Sequence, residues 1–251
     1  MGALEAQISA ALLLSLRIAP MFAFAPPFTL TRTPATVRVI LAFSLAFWLV
    51  LAQPEATYLN GAFRGALLSS ALLELFLGIT LTLALHFAFA ALLIAGRTLD
   101  YQVGFGLSLI ADPTLKTQMP LIGTLLAYAG GALFFASHGA TDLMAIWSYS
   151  LRIVPLGLYA PDGDLGALLS FISAAQLIAI GVVGAVMLSL FLIDLGLAFL
   201  SRTLPQMNVL VLGFQVKTIT LLALTPFVFA FSGGLILRMM RLALEATPDL
   251  L

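Results

Sequence analysis

The chain has 251 residues, of which 62% are hydrophobic and 9% are charged, and its formal net charge is zero. Soluble globular proteins carry about 25% charged residues, so the composition indicates a polytopic membrane protein. The zero net charge argues against a nucleic-acid-binding protein. Because the chain has no cysteine and only two, widely separated histidines, we expect no disulfide, thiolate chemistry, metal or cofactor.

The positions of proline in the N-terminal third of the chain predict short helices. The first residues contain Glu5 and no basic cluster, so they do not resemble a cleavable signal peptide. Residues 8–28 predict a helix that bends near Pro20 and stops before Pro26, because proline removes a backbone donor. The next apolar segment, residues 37–52, is short for a membrane span, which needs about 20 residues.

A much longer apolar segment follows at residues 63–96. Its length allows either more than one membrane crossing or one tilted or protruding helix. At its end, Arg97 and Asp100 are three residues apart and could pair on one helical face.

The stretch from Asp100 to Pro120 is too polar and too rich in glycine to continue as a helix, yet too apolar for a solvated loop. Gly104 and Gly106 flank Phe105 and permit backbone angles that other residues resist. Irregular backbone in an apolar protein persists where it is buried in protein or lines a watery cavity. The stretch is therefore a candidate gate, plug or filter, and the alternative is an ordinary connecting loop.

The second half predicts further apolar helices separated by turn residues. Breaks are expected at His138-Gly139 and at Ser232-Gly233-Gly234. Residues 152–164 are the most polar piece and form the best boundary between halves of the protein. The connector 201–208 is short, which predicts that its flanking helices are antiparallel neighbours. The predicted helices are 121–137, 140–151, 165–200, 209–231 and 235–246.

Five ionisable residues lie inside apolar segments: Arg17, Glu74, His86, Asp194 and Lys217. A charge at the centre of a bilayer costs about 2.5–3.5 kcal/mol on insertion scales, so such residues usually face protein or water. They could form an ion or proton path. They could equally be paired or interface-facing groups that fix helix register.

Asp194 and Lys217 flank the short connector at similar distances. Asp194 lies about ten residues before its midpoint and Lys217 about twelve after it, so their depths along two antiparallel helices differ by about 3 Å. We therefore expect the two side chains to pair, directly or through water. The alternative is that each points separately to another subunit or to a lumen.

Four stretches together carry a resemblance to one known family. They are Arg17–Pro20 with 25–28 and 34–38; Gln102–Ser108 with Asp112-Pro113 and Met119-Pro120; Pro155-Leu156-Gly157; and 205–217. They resemble the FliR family of flagellar export-gate proteins and its type III secretion counterparts. Gly213-Phe214 resembles the flagellar branch. Gln215 stands where many relatives have proline, so a gate subunit of a virulence type III system stays an alternative.

The resemblance implies an all-α, membrane-associated protein of long hairpin helices with broken segments, within a closed helical assembly. Residues 1–151 would be FliP-like and include a plug loop at about 101–119, 152–164 would be a connector, and 165–251 a FliQ-like hairpin and tail. The residues of the plug would be Gly104, Phe105, Gly106, Leu107, Asp112 and Pro113. Independently of the resemblance, the ionisable residues inside apolar segments are the candidate buried polar residues for assembly: Arg17, Glu74, His86, Asp194 and Lys217.

The resemblance also implies a role and partners. The chain would form, with FliP-like and FliQ-like proteins, the pore that exports unfolded flagellar proteins, in contact with FlhB-like and FlhA-like components. It would lie in the bacterial inner membrane within the flagellar basal body, bind no nucleic acid and catalyse no reaction. One rival is a secondary transporter or ion channel that uses Glu74, His86, Asp194 and Lys217. Another is a passive assembly scaffold.

Overall fold

A computed structural model describes residues 3–29, 33–59, 67–105, 120–159, 165–204, 206 and 208–246. The described chain is helical and contains no β-strand, which confirms the predicted all-α class. A short π-helical turn, Glu55–Leu59, follows the second helix. The α-helices are α1 (Ala3–Phe24), α2 (Ala35–Ala52), α3 (Leu67–Val103), α4 (Leu121–Ala136), α5 (Gly139–Ile153), α6 (Leu165–Thr203) and α7 (Val209–Ala246).

The helices form two compact units. The first consists of residues 1–88, 134–173 and 240–251, and the second of residues 89–133 and 174–239. The four helices α3, α4, α6 and α7 each contribute residues to both units. The division of the chain at residues 152–164 into FliP-like and FliQ-like parts stays a prediction.

In the first unit, α1 packs along α2. Arg38 of α2 forms hydrogen bonds with the end of α1 and with a residue just before α2. The Arg38 guanidinium donates hydrogen bonds to the carbonyl oxygens of Thr33 (3.1 Å) and Ala23 (3.2 Å). Pro34 precedes α2, and its carbonyl oxygen accepts the first backbone hydrogen bonds of the helix. Proline is tolerated at the start of a helix because no backbone N–H is needed there. Residues from α1, α2, α3 and α5 fill the core, among them Leu14, Ile18, Met21, Val50, Leu77, Leu85 and Trp147.

Two predicted helix boundaries in this unit are confirmed. Helix α1 continues through Pro20 and ends at Phe24, before Pro26. The predicted break at His138-Gly139 separates α4 from α5: His138 has a φ of 69°, a left-handed angle that an α-helix cannot contain. A Cβ on Gly139 would lie 2.5 Å from the Phe134 ring, so this turn needs glycine.

Helix α3 is one continuous element of 37 residues. The alternative of two crossings within residues 63–96 is therefore wrong for the described part of the segment. The helix also continues beyond the predicted end to Val103, so the prediction that the stretch from Asp100 onward is not helical is wrong for its first four residues. The helix ends where Gly104 adopts a φ of 104°.

In the second unit, Asp100 caps α4. Its carboxylate oxygens each accept a hydrogen bond from the backbone N–H of Ile122 at 3.2 Å. An acidic group at a helix N-terminus satisfies free donors and interacts favourably with the helix dipole. The Arg97 guanidinium lies over the Tyr101 ring at 5.9 Å and also interacts electrostatically with the Asp100 carboxylate. A direct pairing of Arg97 with Asp100 stays a prediction.

Helices α3 and α4 cross at closely packed glycines. A Cβ built on Gly96 would collide with the backbone of Gly123, and a Cβ on Gly123 would lie 2.6 Å from the Leu93 carbonyl oxygen. Real Cβ atoms do not approach backbone so closely, so both positions require glycine. The crossing holds the start of α4 beside Asp100.

The α6–α7 hairpin is antiparallel, as predicted from its short connector. Within the second unit, Asp194 contacts Lys217, a Cβ on Gly213 would approach Leu197 at 3.0 Å, and Ser232 donates to the Val182 carbonyl oxygen at 3.3 Å. From the connector outward, position 197 lies opposite 213, 194 opposite 217 and 182 opposite 232, so the two helices run in opposite directions. Asn208 caps α7, because its Oδ1 accepts a hydrogen bond from the Val211 N–H at 3.3 Å.

The predicted break at Ser232-Gly233-Gly234 is wrong, because α7 continues through it and through Pro226 to Ala246. Each glycine weakens a helix by about 1 kcal/mol relative to alanine. Opening the backbone in apolar surroundings would leave N–H and C=O groups without partners, which costs more. Ser232 is also anchored on Val182, and the residues that follow, Ile236 and Met239, are buried.

Within the described residues, five helices are long and apolar enough to cross a membrane: α1, α2, α3, α6 and α7. The bent pair of α4 and α5 passes the same criterion only when taken together. Of the most apolar window in each, 56% is buried in α3 but only 22% in α2, 28% in α6 and 17% in α7. The last three helices therefore present apolar side chains outward.

Candidate functional site

The stretch predicted to form the plug begins at a regular helix cap. The Gly104 N–H donates to the Tyr101 carbonyl oxygen at 3.1 Å, and the Phe105 N–H donates to the Asp100 carbonyl oxygen at 2.9 Å. These are the two bonds of a Schellman motif, in which glycine in a left-handed conformation ends a helix. Of the six predicted plug residues, Gly104 and Phe105 are described. The other four, Gly106, Leu107, Asp112 and Pro113, lie outside the described residues, and the plug role of all six stays a prediction.

The end of α3 contacts the α6–α7 hairpin through polar and aromatic groups. The Lys217 ammonium donates to the Gln102 carbonyl oxygen at 3.1 Å, and the Gln102 side-chain amide donates to the Met187 carbonyl oxygen at 3.1 Å. The Phe105 and Phe214 rings meet edge to face with centroids 6.1 Å apart. These contacts border a cleft of about 970 Å³ lined by residues of α3, α6 and α7.

Asp194 and Lys217 form an ion pair in this cleft, which confirms the pairing predicted from the length of the connector. The Lys217 side chain is 16% exposed and the Asp194 side chain 41% exposed. The lysine is therefore mostly enclosed, while the carboxylate opens towards the cleft. The prediction that both are buried in an assembly concerns other chains and stays a prediction.

A second ion pair is completely buried in the first unit. The Arg17 guanidinium donates two hydrogen bonds to the Glu74 carboxylate, from Nε at 2.6 Å and from Nη2 at 2.9 Å, and neither side chain is exposed. Such a bidentate arrangement is stronger than a single contact and fixes orientation. It joins α1 to α3.

The remaining polar atoms of this pair are satisfied by the region around the end of α5. Arg17 donates to Ser150 Oγ at 3.2 Å and to the Val154 carbonyl oxygen at 3.0 Å. Glu74 accepts a hydrogen bond from the Gly157 N–H at 2.7 Å. A buried ion pair is tolerated when its remaining donors and acceptors are bonded, so this network is a structural anchor.

Sequence reasoning did not identify Ser150, Val154 or Gly157 as partners of this pair. Two of the three contribute backbone groups, which carry no side-chain signal. The sequence signal at this site was the glycine in Pro155-Leu156-Gly157. Gly157 adopts a φ of 78° and directs its N–H to Glu74.

His86 is exposed on this chain, and its Nδ1 lies 3.3 Å from the Phe24 carbonyl oxygen. The four residues of the transporter hypothesis are divided between the two units. Glu74 and His86 belong to the first unit, and Asp194 and Lys217 belong to the second. Among the described residues, no group of three or more histidine, aspartate and glutamate side chains could hold a metal ion.

Long apolar helices joined by buried polar contacts define a polytopic helical membrane protein. A family model described as "Bacterial export proteins, family 1" matches residues 8–243. The chain belongs to this family.

The relatives that match this chain include proteins of flagellar and virulence systems. The flagellar biosynthetic protein FliR of Bacillus subtilis is 32% identical over 214 residues, which are 82% of this chain and 80% of the relative. FliR of Escherichia coli is 26% identical over 243 residues, which are 94% and 91%. The surface presentation of antigens protein SpaR of Salmonella typhimurium is 26% identical over 235 residues, which are 92% and 86%.

Proposed function

We propose that this chain forms, with FliP-like and FliQ-like proteins, the pore through which unfolded flagellar subunits leave the cytoplasm. The chain is a type III export-gate subunit of the bacterial inner membrane and flagellar basal body, since its family match covers nearly the whole chain and its relatives include flagellar FliR proteins. The family match carries the assignment. The virulence branch is the second candidate, because SpaR also matches over most of its length.

The outward apolar faces support a role inside an assembly. Side chains such as Trp48 of α2, Leu210 of α7 and Phe231 of α7 are more than half exposed on this chain. Apolar surface of this extent needs lipid or protein to cover it. We propose that FliP-like and FliQ-like chains cover much of it, and that FlhB-like and FlhA-like components join the same apparatus.

We propose that the chain contributes no catalytic group. Its Arg17–Glu74 pair is fully engaged in structural contacts, and Lys217 is engaged by Asp194 and by the end of α3.

The α6–α7 hairpin of two long antiparallel helices supports the proposal that residues 165–251 are FliQ-like, and residues 1–151 would then be FliP-like.

Co-expression tests the assembly. Expressed alone, the chain is expected to aggregate or to be degraded, because the apolar faces of α2, α6 and α7 lack partners. With FliP-like and FliQ-like proteins from the same bacterium, it should purify as one complex. The measurement is size-exclusion chromatography of detergent extracts with and without the partners. A stable, monodisperse chain that transports a small solute by itself would contradict the gate and favour the transporter.

The role of the plug is tested at Gly104. Replacing Gly104 by valine forces a β-branched residue into a left-handed backbone at a cost of about 1–2 kcal/mol, which weakens the cap of α3. We expect reduced motility in soft agar, greater passage of ions through the idle gate, or both. Gly104→Asn is the control, because asparagine is the usual substitute for glycine at this helix position.

The scaffold alternative makes the opposite prediction for the same variants. Normal swimming and unchanged ion leakage in the Gly104→Val strain, with the complex at its usual level, would remove Gly104 from the plug. A bulky residue at Gly106 should behave like Gly104→Val if the predicted plug includes both glycines.

A further inference from the structure

The C-terminal end of α3 presents backbone carbonyl groups that need partners. The last four carbonyl groups of a helix receive no hydrogen bond from an N–H of the same helix. Together they form the negative end of the helix dipole. The Schellman bonds of Gly104 and Phe105 use the carbonyls of Asp100 and Tyr101. The next carbonyl, that of Gln102, accepts its hydrogen bond from the Lys217 ammonium.

The α6–α7 hairpin supplies this ammonium, and an ion pair within the hairpin holds it in place. Asp194 on α6 pairs with Lys217 and keeps its charge beside the end of α3. Two turns before Asp194 on the same helix, the Met187 carbonyl accepts the Gln102 side-chain amide. One turn before Lys217 on α7, the Phe214 ring meets Phe105. Residues of both helices of the hairpin therefore hold the last turn of α3.

We propose that Lys217, oriented by Asp194, is a positioning residue that clamps the C-terminal end of α3 to the hairpin. The clamp fixes Gly104 and Phe105, where the helix ends. The clamp assigns the ion pair a role beyond the predicted pairing of Asp194 with Lys217. Its consequence for export rests on the proposed function, whereas the clamp itself is a property of this chain.

Hydrogen exchange measured by mass spectrometry on the purified complex tests the clamp. The amides of Gly104 and Phe105 exchange when the last turn of α3 opens. In Lys217→Met, a peptide that spans residues 99–105 should exchange at least about tenfold faster, the lower end of what losing one hydrogen bond from a charged donor corresponds to. Lys217→Arg keeps a cationic donor and should exchange nearly as slowly as the unmodified protein.

The double variant Asp194→Asn/Lys217→Met separates clamping from charge balance. It leaves no uncompensated carboxylate, so the complex should assemble better than with Lys217→Met alone. It still lacks the ammonium, so residues 99–105 should exchange as fast as in the single variant. Exchange at the unmodified rate in the double variant would overturn the clamp.

The readout distinguishes failure of the clamp from failure of the proposed function. If the chain is stable in detergent without FliP-like and FliQ-like proteins, an outcome that would reject the function alone, exchange can be measured on the purified chain itself. Unchanged exchange in both methionine variants rejects the clamp, whatever happens to motility.

Discussion

Replacing Glu74 by glutamine is expected to remove most of the assembled protein from the membrane. Arg17 would then lie fully buried without a counter-ion, and breaking a buried pair costs about 3–5 kcal/mol. Native domains are stable by only about 5–15 kcal/mol. Arg17→Met should be comparably harmful, because it leaves Glu74 uncompensated. The measurement is the amount of the chain in membranes and in the native complex by immunoblot.

Two further variants sharpen this prediction. Arg17→Met/Glu74→Met removes both charges and should recover much of the loss, since apolar replacements of buried ion pairs are often tolerated. Recovery should stay incomplete, because the Val154 carbonyl and the Gly157 N–H lose their partners, at about 1–3 kcal/mol for an unsatisfied buried group. Glu55→Gln, at an exposed glutamate, is the matched control. Wild-type accumulation of Glu74→Gln would show that the network does not stabilise the chain.

Replacing Gly96 by alanine is expected to force α3 and α4 apart. The added Cβ would collide with the backbone of Gly123, which cannot rotate away as a side chain could. Overpacking typically costs about 1–3 kcal/mol, and here the strain also moves Ile122 from the Asp100 carboxylate. We expect a lower thermal unfolding temperature of the detergent-solubilised complex.

Gly184→Ala provides the matched control for Gly96→Ala. It makes the same change inside a helix of the same unit, but no atom lies within 4 Å of the added Cβ on this chain. Alanine favours a helix over glycine by about 1 kcal/mol, so this variant should keep or raise thermal stability. Equal destabilisation by both substitutions would mean that helix glycines are constrained by other chains, not by the α3–α4 crossing.

Most helix boundaries could be predicted because proline and glycine act locally. Pro26 and His138-Gly139 end helices where the backbone requires it, and these boundaries were confirmed. The same rule failed at Ser232-Gly233-Gly234, where surroundings outweigh local preference: a helix in apolar surroundings keeps its hydrogen bonds because water is not there to replace them.

The polar contacts could be predicted only where chain connection sets the register. Asp194 and Lys217 flank one short connector, so their depths follow from counting residues along two helices. Arg17 and Glu74 lie on helices without such a direct connection, and their pairing depends on how distant segments pack. The contact of Lys217 with α3 was also not predictable from side-chain patterns, because the acceptor is the backbone carbonyl of Gln102.

The Arg17 network also has a consequence for biosynthesis. Glu74 follows Arg17 by 57 residues, and Ser150 follows it by 133. At a synthesis rate of about 5–20 residues per second, the guanidinium waits roughly 3 to 11 seconds for its carboxylate. During that interval, α1 carries an unpaired cation, which costs about 2.5–3.5 kcal/mol at the centre of a bilayer on insertion scales. We therefore expect α1 to reach its final position only when α3 emerges and supplies the Glu74 carboxylate.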